Sequence, residues 1–285
     1  YIQLRGLQSQ LQIARTNLAS QAETLQITDW RAQAGLITSL EVAQARAATE
    51  QTGALIPTLQ ANIQKTSHSL AVLTGQTPAA LNTQLATPQA VPQVSQQLAL
   101  SIPAETLRQR SDVRAAEYRV SAALARVSVA EAARYPSFSI GGSVGLNALT
   151  LSGLASGATA TAALMGAVSF ALLDGGATQA QVRAQSAALS QARSSYQATV
   201  LTALKDVEDA LVALQANRER LVRLQAAQAA ASQAALLAQN RFASGLIDFQ
   251  TVLQTQRTLL SAQDSMATTQ ADISADHVRL YKALG

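Results

Sequence analysis

The sequence predicts a mainly α fold, with long coiled-coil helical hairpins in two tandem repeats and one β-hairpin set between them. Three observations carry this reading: leucines spaced at sevens, a motif that returns 210 residues later, and a long stretch without a single charge. Leu4, Leu11, Leu18 and Leu25 form the heptad series, with Leu7 and Ala14 on the intermediate seam. The chain opens inside this pattern, with no charged and apolar leader at Tyr1, so it reads as a piece of, or a product processed from, a longer chain.

The first hairpin, residues 1–75, turns at Arg31, Gly35, Leu36 and Thr38. The same motif recurs as Arg241, Gly245, Leu246 and Asp248, and without a gap the offset also pairs Ala61 with Ala271, Leu70 with Leu280 and Gly75 with Gly285. In each copy the glycine supplies the left-handed position that ends one helix, and the arginine complements the carbonyl end of the helix dipole. Thr38 with Glu41 forms a capping box that starts the next helix, and Asp248 is the matching N-cap. These are αα-hairpin tips. The incoming arm of the second copy runs from about Ala177 to Phe242 without proline, roughly 100 Å if straight at 1.5 Å per residue.

Residues 76–110 hold Pro78, Pro88, Pro92 and Pro103 among Gln, Thr and Ser, which predicts a loop-rich belt with short helices. A helix is expected over 111–135, with Ser111 and Asp112 as its N-cap pair and Pro136 as its stop.

From Tyr135 to Leu173 there is no Asp, Glu, Lys, Arg or His. Within 136–173, Phe138, Ile140, Val144 and Leu146 alternate with serines, and Leu164, Val168, Phe170 and Leu172 alternate with Ala163, Ala167 and Ser169. Period two over about ten residues is strand geometry with one apolar face, of the length and polarity of a transmembrane β-hairpin. A soluble hairpin lying on a core shows similar alternation, but normally solvates one face with charges. One hairpin cannot close a barrel, so others must come from elsewhere in the chain or from other copies. By the repeat, a counterpart is expected roughly 40 to 75 residues before Tyr1.

Composition restricts function. There is no cysteine and there are only two histidines, which removes thiolate catalysis and Cys-based zinc sites. A net charge of +4 over 285 residues is too thin for a phosphate-tracking surface, so nucleic acid is not an expected partner. No nucleophile and base pair supports an enzyme, and no cofactor is expected. His68 and His277 read as solvated or packed helix residues, and Asp272 with Asp276 lacks a third carboxylate for a metal.

The tandem hairpins, the passage Leu172, Leu173, Asp174, Gly175, Gly176 from strand to long helix, the run Arg110 to Glu117 and the run Leu280 to Gly285 together resemble the TolC-like outer membrane factor family. More narrowly they resemble its lipoprotein branch, which serves multidrug efflux pumps of Gram-negative bacteria. Ser111 departs from that branch, which usually has proline there.

The resemblance implies a homotrimeric α-barrel in the periplasm, crowned by a transmembrane β-barrel in outer-membrane lipid that is shared by three subunits. It also implies a periplasmic adaptor, an inner-membrane efflux transporter of RND type and a passive exit path for drugs or other small molecules. Arg31, Gly35, Leu36, Arg241, Gly245 and Leu246 then lie where the family's adaptor docks. Glu41 falls where the family commonly has an acid at the periplasmic gate, while Gln250, Thr251 and Gln254 stand where relatives often carry aspartate. The competing expectation is a soluble periplasmic coiled-coil structural or adaptor protein, whose glycine-rich hairpin packs on protein.

Overall fold

The structure, a computed structural model, describes residues 1–93, 108–147, 150, 159–171 and 173–285. In chain order the elements are α1 (Ile2–Gln33), α2 (Ser39–Leu73), α3 (Asn82–Leu85), α4 (Ser111–Ala132), β1 (Ser137–Asn147), β2 (Thr159–Ser169), α5 (Ala177–Ala243) and α6 (Phe249–Leu284). They divide into two compact units, one of residues 1–102 with 205–284 and one of residues 103–204 with Gly285. The 67-residue helix α5 supplies segments to both.

In the first unit, α1 packs against α2 and against α6. Contact with two neighbours changes what the heptad leucines do. Leu4 is fully buried, but Leu11, Leu18 and Leu25 are half-buried, whereas Gln8, Asn17, Gln21, Thr24 and Thr28 are buried. The contact between α1 and α6 is a polar seam, in which Asn17 donates to Gln263 at 2.7 Å and Gln256 donates to Thr24 at 3.0 Å. Asn17 and Gln256 persist there because each finds a partner, whereas the buried Gln21 Oε1 has none among the described residues. Small residues close the seam further up. A β-carbon on Gly6 would come within 3.1 Å of that of Ala271, so the helices approach closely where glycine leaves room.

The belt after α2 is tied down through its backbone carbonyls. Arg5 donates to Thr87 O at 2.8 Å, Gln8 to Leu85 O at 2.7 Å and Ser274 to Pro92 O at 2.7 Å.

In the second unit, α4 rests on α5 through Ala123, Val127 and Leu189. Its first turn differs from the sequence expectation. Arg110 occupies the N-cap with no side-chain capping bond, Ser111 is the first helical residue, and Asp112 accepts from the Val113 N–H and the Arg110 guanidinium. The helix also ends at Ala132, three residues before Tyr135. β1 and β2 form a two-stranded antiparallel sheet in which Phe138 faces Val168, Gly142 faces Leu164 and Val144 faces Ala162. Asp174 then starts α5, its carboxylate accepting from the Gly176 and Thr178 N–H groups and the Thr178 hydroxyl. These donors hold its pKa at about 2.

Candidate functional site

Each tip is a left-handed glycine turn with the two hydrogen bonds of a Schellman motif. Gly35 has φ 74° and Gly245 φ 73°. In the first tip the Gly35 N–H donates to Ala32 O at 3.0 Å and the Leu36 N–H to Arg31 O at 2.9 Å. In the second, Gly245 donates to Phe242 O and Leu246 to Arg241 O, both at 2.9 Å. Leu36 and Leu246 are left 67% and 74% exposed at the ends of the turns.

The helices that leave the tips are capped as the residue types dictate. Thr38 accepts from the Leu40 N–H, and Glu41 accepts from the Thr38 N–H and hydroxyl. The Thr38 hydroxyl holds the Glu41 carboxyl below its usual range. Asp248 accepts from the Thr251 N–H at 2.9 Å and its hydroxyl at 2.6 Å, and its pKa is lowered for the same reason.

The two arginines behave differently. Arg31 leaves its own helix end and donates to Phe242 O on α5 at 2.5 Å, with its guanidinium 4.7 Å above the Phe242 ring. It complements the carbonyl end of the other hairpin's helix, so one arginine joins both tips. Beneath it Phe242 and Phe249 pack with ring centroids 5.4 Å apart, on a cluster containing Ala45, Ala48 and Val252. Arg241 is exposed.

Of the four gate candidates, two are engaged in caps: Glu41 with Thr38, and Thr251 with Asp248. Gln250 and Gln254 are exposed one turn apart on α6, on the side away from buried Phe249, Val252, Leu253 and Gln256.

All residues of both strands are exposed, on both faces and both edges. Phe138, Ile140, Val144 and Leu146 share one face with Leu164 and Val168, since directly opposed residues of an antiparallel pair point the same way. Phe170 lies just beyond β2, and Leu172 lies outside the described residues. Met165, opposite Gly141, is the large apolar residue on the other face. Among the described residues no helix is long and apolar enough to cross a membrane, and no group of three or more His, Asp or Glu is placed to hold a metal.

Sequence reading missed one polar cluster. Asp276 is fully buried, accepting from Asn217 at 2.7 Å and from Arg279 at 2.5 Å. His277 beside it is 2% exposed, its Nε2 3.3 Å from the Arg218 guanidinium. Burial first, and then Arg218, lower its pKa, against a smaller opposing pull from Asp276. The available signal was the adjacency of Asn217 and Arg218 on α5 and of Asp276 and His277 on α6, at matching heights of one hairpin.

Two helical hairpins with matched tips and a charge-free β-hairpin whose strand residues are all exposed are the parts of the described chain. The chain belongs to the outer membrane efflux protein family, whose model matches residues 1–76 and 102–285. It is 31% identical over 284 residues to nodulation protein T of Rhizobium leguminosarum bv. viciae, covering all of this chain and 59% of that one. It is 34% identical over 290 residues to the pyoverdine export outer membrane protein OpmQ of Pseudomonas putida, covering all of this chain and 60% of that one. Its fold matches the outer-membrane channel OprN with TM-score 0.93 at 35% identity, over all of this chain and 64% of that one. It also matches the outer membrane protein VceC of Vibrio cholerae, with TM-score 0.88 at 27% identity over all of this chain and 67% of that one. The chain spans about three fifths of the length of the curated relatives it matches.

Proposed function

We propose that the chain is the greater part of one subunit of an outer-membrane exit channel in a tripartite efflux pump. Three copies form a helical tube in the periplasm and share a β-barrel in the outer membrane. Solutes pass through without chemical change, and a periplasmic adaptor meets the tips while an inner-membrane transporter of RND type supplies the energy. The observation that carries this reading is the uncovered hairpin β1–β2. Ile140, Val144 and Leu164 are 83%, 86% and 81% exposed, with no charge on either strand. In water such a sheet is an aggregation template; in lipid, with its edges paired to other hairpins, every backbone group is satisfied.

The tips support adaptor docking through Leu36 and Leu246, apolar side chains that the fold holds out at two equivalent turns. Gly35 and Gly245 give the turns their shape, and Arg31 and Arg241 stand behind them. The periplasmic gate is formed by Gln250 and Gln254, with Glu41 and Thr251 fixed in the neighbouring caps. A glutamine ring narrows a pore by hydrogen bonding without the field of a carboxylate ring.

The test is export in cells. The full-length protein carrying this chain, expressed with its adaptor and transporter in a strain lacking its own exit channel, should fractionate with the outer membrane and lower dye accumulation several-fold. A protein found only in the soluble periplasm, with dye accumulation unchanged, contradicts the proposal.

A further inference from the structure

The two tips have the same backbone hydrogen bonds but are not equally occupied. Phe242 O takes the Arg31 guanidinium in addition to the Gly245 N–H. Its equivalent 210 residues earlier is Ala32 O, which among the described residues receives the Gly35 N–H and no side chain. The equivalent of Arg31 is Arg241, exposed and without a hydrogen-bond partner among the described residues. A donor and an acceptor are thus left over, related by the same repeat that relates the pair already made.

The surfaces around them are left over in the same sense. Thr24 on α1 and Gln256 on α6 are buried against each other, whereas their equivalents, Ala234 on α5 and Arg46 on α2, are both exposed. Gly6 and Ala271 meet closely, whereas their equivalents, Ala216 and Ala61, are both exposed. Between the end of α1 and the start of α2 lies an open groove of about 650 Å³, lined by Asp29, Ala32, Val42, Ala43, Arg46 and Glu50. Two carboxylates against one arginine suit it to a guanidinium. The covered contact joins unlike faces, α1 to α6. A contact of that kind is heterologous, and used again from copy to copy it makes a ring where the rotation closes, as in the assembly proposed above.

We propose that Arg241 clasps the tip of the next copy of this chain: the last turn of α5 seats in the neighbouring copy's groove, and Arg241 donates to that copy's Ala32 carbonyl. The inference rests on the ring assembly in the proposed function, and not on what passes through the ring. The clasp between subunits differs from the one within a subunit in its platform. Arg31 lies over the Phe242 ring, whereas Arg241 meets an alanine and has no aromatic platform from that position. The junction between subunits is therefore the looser one, and the tips separate there first.

The experiment uses the full-length protein carrying this chain, purified without adaptor. In one variant Arg241 is replaced by the photocrosslinker benzoylphenylalanine. In a second, Ala61→Cys and Ala216→Cys are combined, these 285 residues holding no other cysteine and any cysteine elsewhere in the full-length protein being replaced by serine. Two β-carbons related as Gly6 and Ala271 are, but relaxed by a few tenths of an ångström to admit alanine, approach the ~3.8 Å that a disulfide needs. The expected result is a disulfide-linked ladder of copies from the cysteine pair, and light-induced crosslinks from position 241 to residues 29–33 of a second copy. A ladder with crosslinks absent, confined to the same copy, or mapped elsewhere overturns the clasp and leaves the ring standing. No ladder and no crosslink overturns both.

Discussion

Ile140 stands directly opposite Gly166 across the β1–β2 ladder, and both residues are exposed among the described residues. That bare pair lies in the apolar face assigned to lipid. Ile140→Arg is expected to destabilise the membrane-inserted form by about 2–4 kcal/mol if the site lies near the bilayer midplane. Ser139→Arg, on the other face, should change it by less than about 1 kcal/mol, because lumen-facing charges remain solvated. Urea titration of the folded protein in lipid vesicles compares the two.

Arg31 joins the tips of both hairpins, so Arg31→Ala should free both. A charged hydrogen bond contributes about 1.5–3 kcal/mol where it is made. The Gly245 and Leu246 amides, which close the α5 end, should then exchange with solvent tenfold faster or more. Arg31→Lys should recover part of the protection, since an ammonium keeps the charge and loses the planar stack on Phe242. Hydrogen exchange resolved at the tip peptides measures this.

Gln250 and Gln254 carry no charge, so the channel should show weak cation preference and little block by multivalent cations. Gln254→Asp should raise both. Glu41→Gln should leave selectivity as it was, because the carboxylate of Glu41 is turned into the Thr38 cap. Reversal potentials in a salt gradient decide the matter, and strong cation preference that survives Glu41→Gln would count against a glutamine gate.

His277 is held neutral by burial and by Arg218. With the folded pKa below the unfolded value of 6.5, the unfolded chain binds the proton first as pH falls. Stability from this site is therefore complete above pH 6.5 and declines below it. His277→Gln should flatten that part of the pH–stability profile, read as denaturation midpoints between pH 7.5 and 5.

Leu36→Asp with Leu246→Asp should abolish adaptor binding, while oligomer size and conductance stay unchanged. Both side chains lie at exposed turns and neither supports the helices that they join. Pull-down with purified adaptor, beside light scattering of the channel alone, provides the comparison.

How much the sequence revealed depends on how local the determinant is. Gly35 and Gly245 end their helices where the left-handed position was expected, and Thr38 and Asp248 cap the next ones, because turn and cap chemistry is settled within a few residues. Strand alternation at Phe138, Ile140, Val144 and Leu146 was legible for the same reason. What was not legible was long-range. The heptad leucines suggested one apolar seam, but α1 packs along both α2 and α6 and meets α6 through Asn17 and Thr24, which no single-helix period identifies as buried. Arg31 read as a cap for its own helix because proximity in sequence was the available guide, whereas the nearer acceptor in space is Phe242 O, 211 residues away.

The most direct measurement is single-channel recording of the full-length protein carrying this chain in planar bilayers. The account predicts discrete, long-lived conductance steps from a detergent-stable trimer, abolished by Ile140→Arg and retained in Ser139→Arg. A protein that remains monomeric in solution and never produces steps would contradict it.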